Sequence, residues 1–298
     1  MTKPQDCLPC PPGFFCASTG KAVPSGQCSG GYYCTSGAHS PTPEDGGASG
    51  GSCPEGHYCP QGSSAPLPCP TGYYNNKNRS SRLSDCLTCP AGFLCITRGL
   101  SLPSHVCPAG SYCPGGTNSS QQVSVLCSPG NMCPPGSDRQ VPCSPGTYQD
   151  LSGQADCITC PPGFYCAGSM DADTGLVGGT RAPLLCPKGH YCPPGTQSGV
   201  AFPCPAGAFN RQMGLSNHSG CQPCPPGRYC SSSGLAAPTG ICSPGYLCIQ
   251  GSVTAQPEEE PMGHRCSAGF YCPPGTIYMI PCPVGTFNSV DGDAETND

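Results

Sequence analysis

The chain lacks tryptophan altogether, and only 10% of its 298 residues are charged. Leu, Ile and Val never gather into long runs, so one large aliphatic core is excluded. No apolar stretch approaches the ~20 residues that span a bilayer as a helix. Helical periodicity fails too, because Pro and Gly interrupt every candidate stretch before ten residues. With 12 Lys+Arg against 17 Asp+Glu, the net charge is −5 and no basic stripe exists. Nucleic acid is therefore excluded as a partner. The opening Met1-Thr2-Lys3-Pro4-Gln5-Asp6 has no apolar stretch of the secretory-leader kind.

What the chain does have is 30 cysteines, 43 glycines and 40 prolines. Gly and Pro at this level point to disorder when they follow no period, and cysteine at this level points to a disulfide scaffold. The period decides for the scaffold. A Cys-x2-Cys-x5-Cys opening recurs at Cys7/Cys10/Cys16, Cys86/Cys89/Cys95, Cys157/Cys160/Cys166 and Cys221/Cys224/Cys230. Such tandem repetition replaces any single-core reading of the fold. Four cysteine-rich repeats follow, at 1–85, 86–156, 157–220 and 221–298, with eight, eight, six and eight cysteines.

Beneath the repeat lies a smaller unit, Cys-Pro/Ser-x-Gly followed by an aromatic-rich pair, in fifteen copies. Eleven copies close on a second Cys, as CPPGFFC does from Cys10. Four are open, starting at Cys69, Cys143, Cys204 and Cys282, and most of them run on into Asn or Gln. The unit reads as a tight turn, with Pro presetting φ at its second position and Gly ending it or taking positive φ. The fold class expected is therefore small and disulfide-rich. Short β-ladder and irregular modules stand in series as an extended rod with almost no helix, each touching mainly its neighbours.

Disulfides persist in oxidising compartments, so the setting expected is extracellular or cell surface, reached through the secretory pathway. Three Asn-x-Ser triplets, at Asn78, Asn118 and Asn217, are N-glycosylation candidates in that setting.

Spacing alone does not fix the pairing of cysteines. The open units suggest Cys69–Cys86, Cys143–Cys157 and Cys204–Cys221, loops that bridge one repeat to the next. Inside a repeat, alternating pairing is the expected scheme, such as Cys160–Cys186 and Cys166–Cys192, with closure inside each Cys-x5-Cys as its rival. By the same phase Cys282 lacks a downstream partner and Cys7 an upstream one. The expectation is an internal segment of a longer array; the competing one is a whole subunit whose Cys7 and Cys282 join copies head to tail.

The run CSPGTYQDLSGQADCITCPPGFYC from Cys143 to Cys166, with CPTGYYN and CPAGAFN elsewhere, resembles the ephrin-receptor-like cysteine-rich repeat. It is also similar to growth-factor-receptor and tumour-necrosis-factor-receptor cysteine-rich modules. The resemblance covers 7–298 and implies a module of receptors, matrix proteins or large surface proteins. The extra Cys-x5-Cys pairs, at Cys28/Cys34 and Cys53/Cys59 for example, lengthen the repeat beyond the short family module.

Other uses of these residues fare worse. Zinc needs two Cys-x-x-Cys pairs or one pair with spaced histidines, yet each repeat has one pair and few His. His57 and His190 read as solvent-facing turn residues. Gly47-Ala48-Ser49-Gly50-Gly51 matches a nucleophile elbow in letters only and reads as a disordered loop. The acidic clusters at Asp171/Asp173, Glu258–Glu260 and Asp291/Asp293/Glu295 lack calcium-loop grammar and read as solvated linker. No enzyme, cofactor or metal is expected. The function expected is a structural spacer, stalk or fibre-forming segment of a larger secreted or surface protein. The partners expected are adjacent repeats of a parent chain, copies of itself, or another extracellular protein. A ligand-binding receptor ectodomain is the alternative.

Overall fold

In a computed structural model the chain is described over residues 7–44, 48–115, 124–170, 177–258 and 261–292. Its regular structure is a series of two-stranded antiparallel sheets, fourteen among the described residues, with strands of two or three residues. No α-helix occurs there; two 3-10 turns, Leu83–Asp85 and His218–Gly220, precede Cys86 and Cys221. This is a small disulfide-rich fold of tandem modules.

Each unit is built the same way. In the first, the N–H of Phe14 donates to the carbonyl of Pro11 at 3.1 Å, closing a four-residue turn. Gly13, third in that turn, has φ +85°, the left-handed value that a type II turn requires and that favours glycine. The proline next to the cysteine, Pro11, therefore supplies the accepting carbonyl at the first turn position; the second position, which the sequence reading gave it, is held here by Pro12. After the turn, Phe14–Phe15 runs antiparallel to Gly26–Gln27, and Cys28 starts the next unit. Two residues suffice for such a strand because no ladder here has a wide face to cover.

The turn also brings the two cysteines of each closed unit into bonding range. Cys160 bonds Cys166, and Cys186 bonds Cys192, with Cα atoms 6.0 and 5.8 Å apart. The alternating scheme, Cys160–Cys186 and Cys166–Cys192, is thus replaced by closure within each Cys-x5-Cys. The physical reason is the positive-φ glycine, which folds the seven-residue segment back on itself so that its own two cysteines meet. The open units bond forward instead, as Cys69–Cys86, Cys143–Cys157 and Cys204–Cys221. Cys7 and Cys282 carry no disulfide within the chain.

Sulfur fills most of the interior. Cys28, Cys34, Cys53, Cys59 and Cys69 are fully buried, as are Cys107, Cys127, Cys186, Cys204, Cys242 and Cys266 farther along, whereas Cys282 is partly exposed. Apolar side chains join only locally: Ala38, Phe15 and Tyr32 lie against Cys28 and Cys34, and Phe209 and Leu235 against Cys224 and Cys230. Each loop of this size contributes about 2–3 kcal/mol by restricting the unfolded chain. Residues form two compact units, one of 1–128, 132–141 and 152–156, the other of 129–131, 142–151 and 157–298. The same construction serves within both.

Candidate structural and interaction sites

The most regular site on this chain is the junction between successive units. At each of fourteen junctions among the described residues, the turn glycine makes two backbone hydrogen bonds to the next unit. Its N–H donates to the carbonyl of that unit's seventh residue at 2.7–3.0 Å, as Gly13 does to Cys34. Its carbonyl accepts the N–H of that unit's first cysteine at 2.8–3.1 Å, as Gly13 does from Cys28. A third bond returns: the first cysteine's carbonyl accepts from a residue just past the next unit, as Cys10 does from Gly37 at 2.8 Å.

Those later residues form a second series of glycines that the sequence reading missed. Gly62, Gly136, Gly195 and Gly275 follow a closing cysteine by three residues, inside a Cys-Pro-Pro/Gln-Gly-Ser/Thr run. The hydroxyl after each donates back to the proline carbonyl, Ser63 to Pro60 at 2.6 Å and Thr276 to Pro273 at 2.6 Å. The recurring CPPG-Ser/Thr letters were the available signal. These glycines also reach two units back. A Cβ on Gly13 would stand 2.5 Å from the carbonyl oxygen of Gly62, and one on Gly163 2.5 Å from that of Gly214. The units therefore interlock with first and second neighbours, and the array is more continuous than separate modules would be.

Open units keep the junction but change its chemistry. The seventh residue is Asn75, Gln149, Asn210 or Asn288, and its backbone carbonyl still accepts from the preceding turn glycine. Asn75 and Asn210 are buried, and their side chains take the place of the missing sulfur. The Asn75 amide donates to the carbonyl of His57 at 2.9 Å, and its oxygen accepts the N–H of Lys77 at 3.1 Å. Asn210 repeats this with His190 and Gln212, at 3.2 and 2.9 Å. Freed from closing its own unit, the first cysteine reaches the leader of the next repeat.

Arg79 stands where another unit would have glycine. It has φ +61°, alone among described non-glycine residues in the left-handed region. Its N–H donates to the carbonyl of Cys53, and its guanidinium pairs with Glu44 at 2.8 Å over the ring of Tyr32. A second cluster of the same composition forms elsewhere: Arg265 pairs with Glu258 at 2.9 Å and lies over Tyr246. The hydrogen bond that Arg265 donates to Glu258, then the charge of Tyr246, hold Arg265 above its ordinary range. Both clusters are solvent-exposed, so water and salt screen each pair. Arg265 also borders a groove of about 690 Å³ with His264, Ser267, Met279 and Asp291.

The remaining sequence candidates are placed as follows. The ring nitrogens Nδ1 of His57 and His190 lie 2.9 and 3.1 Å from the carbonyls of Glu55 and Lys188, and both rings are half-buried. Gly50–Ser52 is a strand paired with Tyr32–Cys34, which overturns the disordered-loop expectation for that half of the elbow-like run. Gly50 has φ +136° and no room for a Cβ beside Tyr33 and Pro43, so the run's glycine serves packing. Gly47, Asn118, Asp171, Asp173, Glu259, Glu260, Asp293 and Glu295 lie outside the described residues. Among the described residues no group of three His, Cys, Asp or Glu side chains is placed to hold a metal ion. No helix there is long and apolar enough to cross a membrane.

No protein-family model matches the chain. It is similar to the cysteine repeat modular protein A of Toxoplasma gondii, 27% identical over 57% of this chain and 8% of that protein. It is also similar to the ABC-type transporter claG of Penicillium crustosum, 32% identical over 40% of this chain and 12% of the transporter. ABC transporter G family member 28 of Arabidopsis thaliana is 29% identical over 41% of this chain and 10% of its own length. The chain thus spans about a tenth of the length of the curated relatives it matches. Its likeness to a modular cysteine-repeat protein and its serial disulfides agree with each other: the chain is a cysteine-rich repeat array.

Proposed function

We propose that this array is a spacer or stalk segment of a larger extracellular or cell-surface protein. The observation that carries the reading is the sameness of its junctions: fourteen among the described residues repeat the same backbone bonds. The serial disulfides fit an oxidising compartment. The relatives support a segment, because the alike stretch is a small part of each long chain. The ephrin-receptor-like resemblance belongs to the same reading. No enzyme activity and no cofactor are assigned to it.

The test is solution scattering on the array and on a variant lacking residues 157–220. A spacer shortens in proportion to the residues removed. A maximum dimension that stays constant would sink the proposal. A ligand-binding ectodomain is the second reading, and the groove beside Arg265 favours it. That reading requires saturable binding of an extracellular protein that Arg265→Ala abolishes.

A further inference from the structure

Two of the three Asn-x-Ser triplets lie among the described residues, and the fold treats them differently. Asn78 itself is exposed, but the two residues after it belong to a junction. The N–H of Arg79 donates to the carbonyl of Cys53 at 2.8 Å, and the carbonyl of Ser80 accepts the N–H of Cys59 at 2.9 Å. Ser80 is 7% exposed, with its hydroxyl 3.5 Å from the carbonyl of Lys77. An acceptor triplet is read through its amide and its hydroxyl together, and here the hydroxyl is sealed inside.

At the other triplet all three residues are exposed. Asn217 has an extended backbone, φ −150° and ψ 164°, before the 3-10 turn His218–Gly220. The hydroxyl of Ser219 donates to Oδ1 of Asn217 at 2.6 Å, so amide and hydroxyl stand side by side on the surface. His218, between them, rests edge-on against the ring of Tyr191 at 5.7 Å, which anchors the turn. The backbone bonds of the turn, from the N–H of Gly220 to Asn217 and from that of Cys221 to His218, stay local to it.

We propose that Asn217 accepts an N-linked oligosaccharide on the folded chain, whereas Asn78 accepts one only before its junction closes. The inference rests on the reading that the natural chain passes through the secretory pathway. The donor class is an oligosaccharide on a lipid pyrophosphate, brought by a transferase. A bond forms between Nδ2 of Asn217 and the sugar's C1, and the bond from C1 to the pyrophosphate oxygen breaks. The lipid pyrophosphate leaves with the electron pair, and the amide proton passes to a base of the transferase. For Asn78 time is short, since Cys53 and Cys59 precede it in the chain and are ready to close over it.

The test uses the full chain carrying Asn118→Gln, directed into a secretory host by an added leader. Occupancy is read by mass on peptides whose glycans are released in heavy-oxygen water, from secreted and retained chain alike. The result expected is Asn217 filled in most molecules and Asn78 in few. A paired Cys53→Ser and Cys59→Ser variant then raises Asn78 occupancy several-fold and leaves Asn217 unchanged. Ser219→Ala removes the sugar from Asn217 alone. Asn78 filled as completely as Asn217 in the parent chain would overturn the inference, as would no rise when the unit is opened. The added leader separates this from the localisation reading, which fails instead if the natural chain is found with its cysteines reduced.

Discussion

The side-chain amide of Asn75 reaches the backbone carbonyl of His57, 18 residues earlier, at 2.9 Å. That hydrogen bond stands where a closed unit has its disulfide, on a residue with no exposed surface. Asn75→Ala leaves buried backbone groups unpaired and lowers stability by about 1–3 kcal/mol, read from denaturant midpoints under non-oxidising, non-reducing conditions. A variant as stable as the parent would remove Asn75 from this role.

Asn75→Cys tests the same position from the other side. It converts an open unit to a closed one, so Cys69 bonds the new thiol and Cys86 is released. Alkylation before proteolysis should label Cys86. Label confined to position 75 would mean that the leader, rather than the turn, decides the partner of Cys69.

Single-cysteine variants discriminate the pairing within repeats. Cys166→Ser frees Cys160 if each Cys-x5-Cys closes on itself, and frees Cys192 if pairing alternates. Trapping the free thiol and mapping it gives one answer or the other. The structure requires Cys160.

The turn glycines fall into two classes that one substitution separates. Gly269 has φ +86° with open space around its would-be Cβ, so Gly269→Ala costs only strain, about 1–2 kcal/mol. Gly146 has φ +87° and faces the carbonyl oxygen of Gly195 at 2.5 Å, so Gly146→Ala adds crowding of about 1–3 kcal/mol. Thermal or denaturant melts of the two variants should differ by that increment. Equal losses would dismiss the second-neighbour contact.

Arg79 balances strain against surface attraction. Arg79→Gly relieves about 1–2 kcal/mol of left-handed strain and forfeits about 0–1 kcal/mol of exposed ion pair. It should leave stability level or slightly raised. Arg79→Ala keeps the strain and loses the pair with Glu44, so it should be the less stable of the two. Raising salt screens the ion pair and should widen the advantage of glycine over the parent. A parent that stays ahead of Arg79→Gly at every ionic strength would refute the balance.

The strand-poor, disulfide-held fold could be read from residues directly, because cysteine spacing, Cys-Pro-x-Gly turns and missing aliphatic runs all agree. The forward bonds from Cys69, Cys143 and Cys204 were legible because each of these units lacks a second cysteine of its own and the next repeat opens with a leading cysteine outside any unit. Pairing between Cys160 and Cys166 was not, since spacing says nothing about which way a seven-residue segment bends. The glycine at its fourth position does say so, once its positive φ is recognised as the cause of closure. The role of Asn75 and Asn210 was hidden for another reason. Their polarity suits a surface linker equally well, and only the burial of their amides shows otherwise. Arg79 gave no sign at all of standing at a glycine position.

Among the described residues no disulfide joins cysteines more than 17 residues apart, and most join cysteines 6 apart. During synthesis at roughly 5–20 residues per second, each bond can form within seconds of its second cysteine emerging, with few wrong thiols yet present. Oxidation proceeds in the order of translation, without the reshuffling that long-range cystines demand. The same locality frees the gene: a unit can be duplicated or deleted whole, and every other covalent bond stays as it was. Array length becomes a quantity that inheritance adjusts in steps, one turn and one cystine at a time.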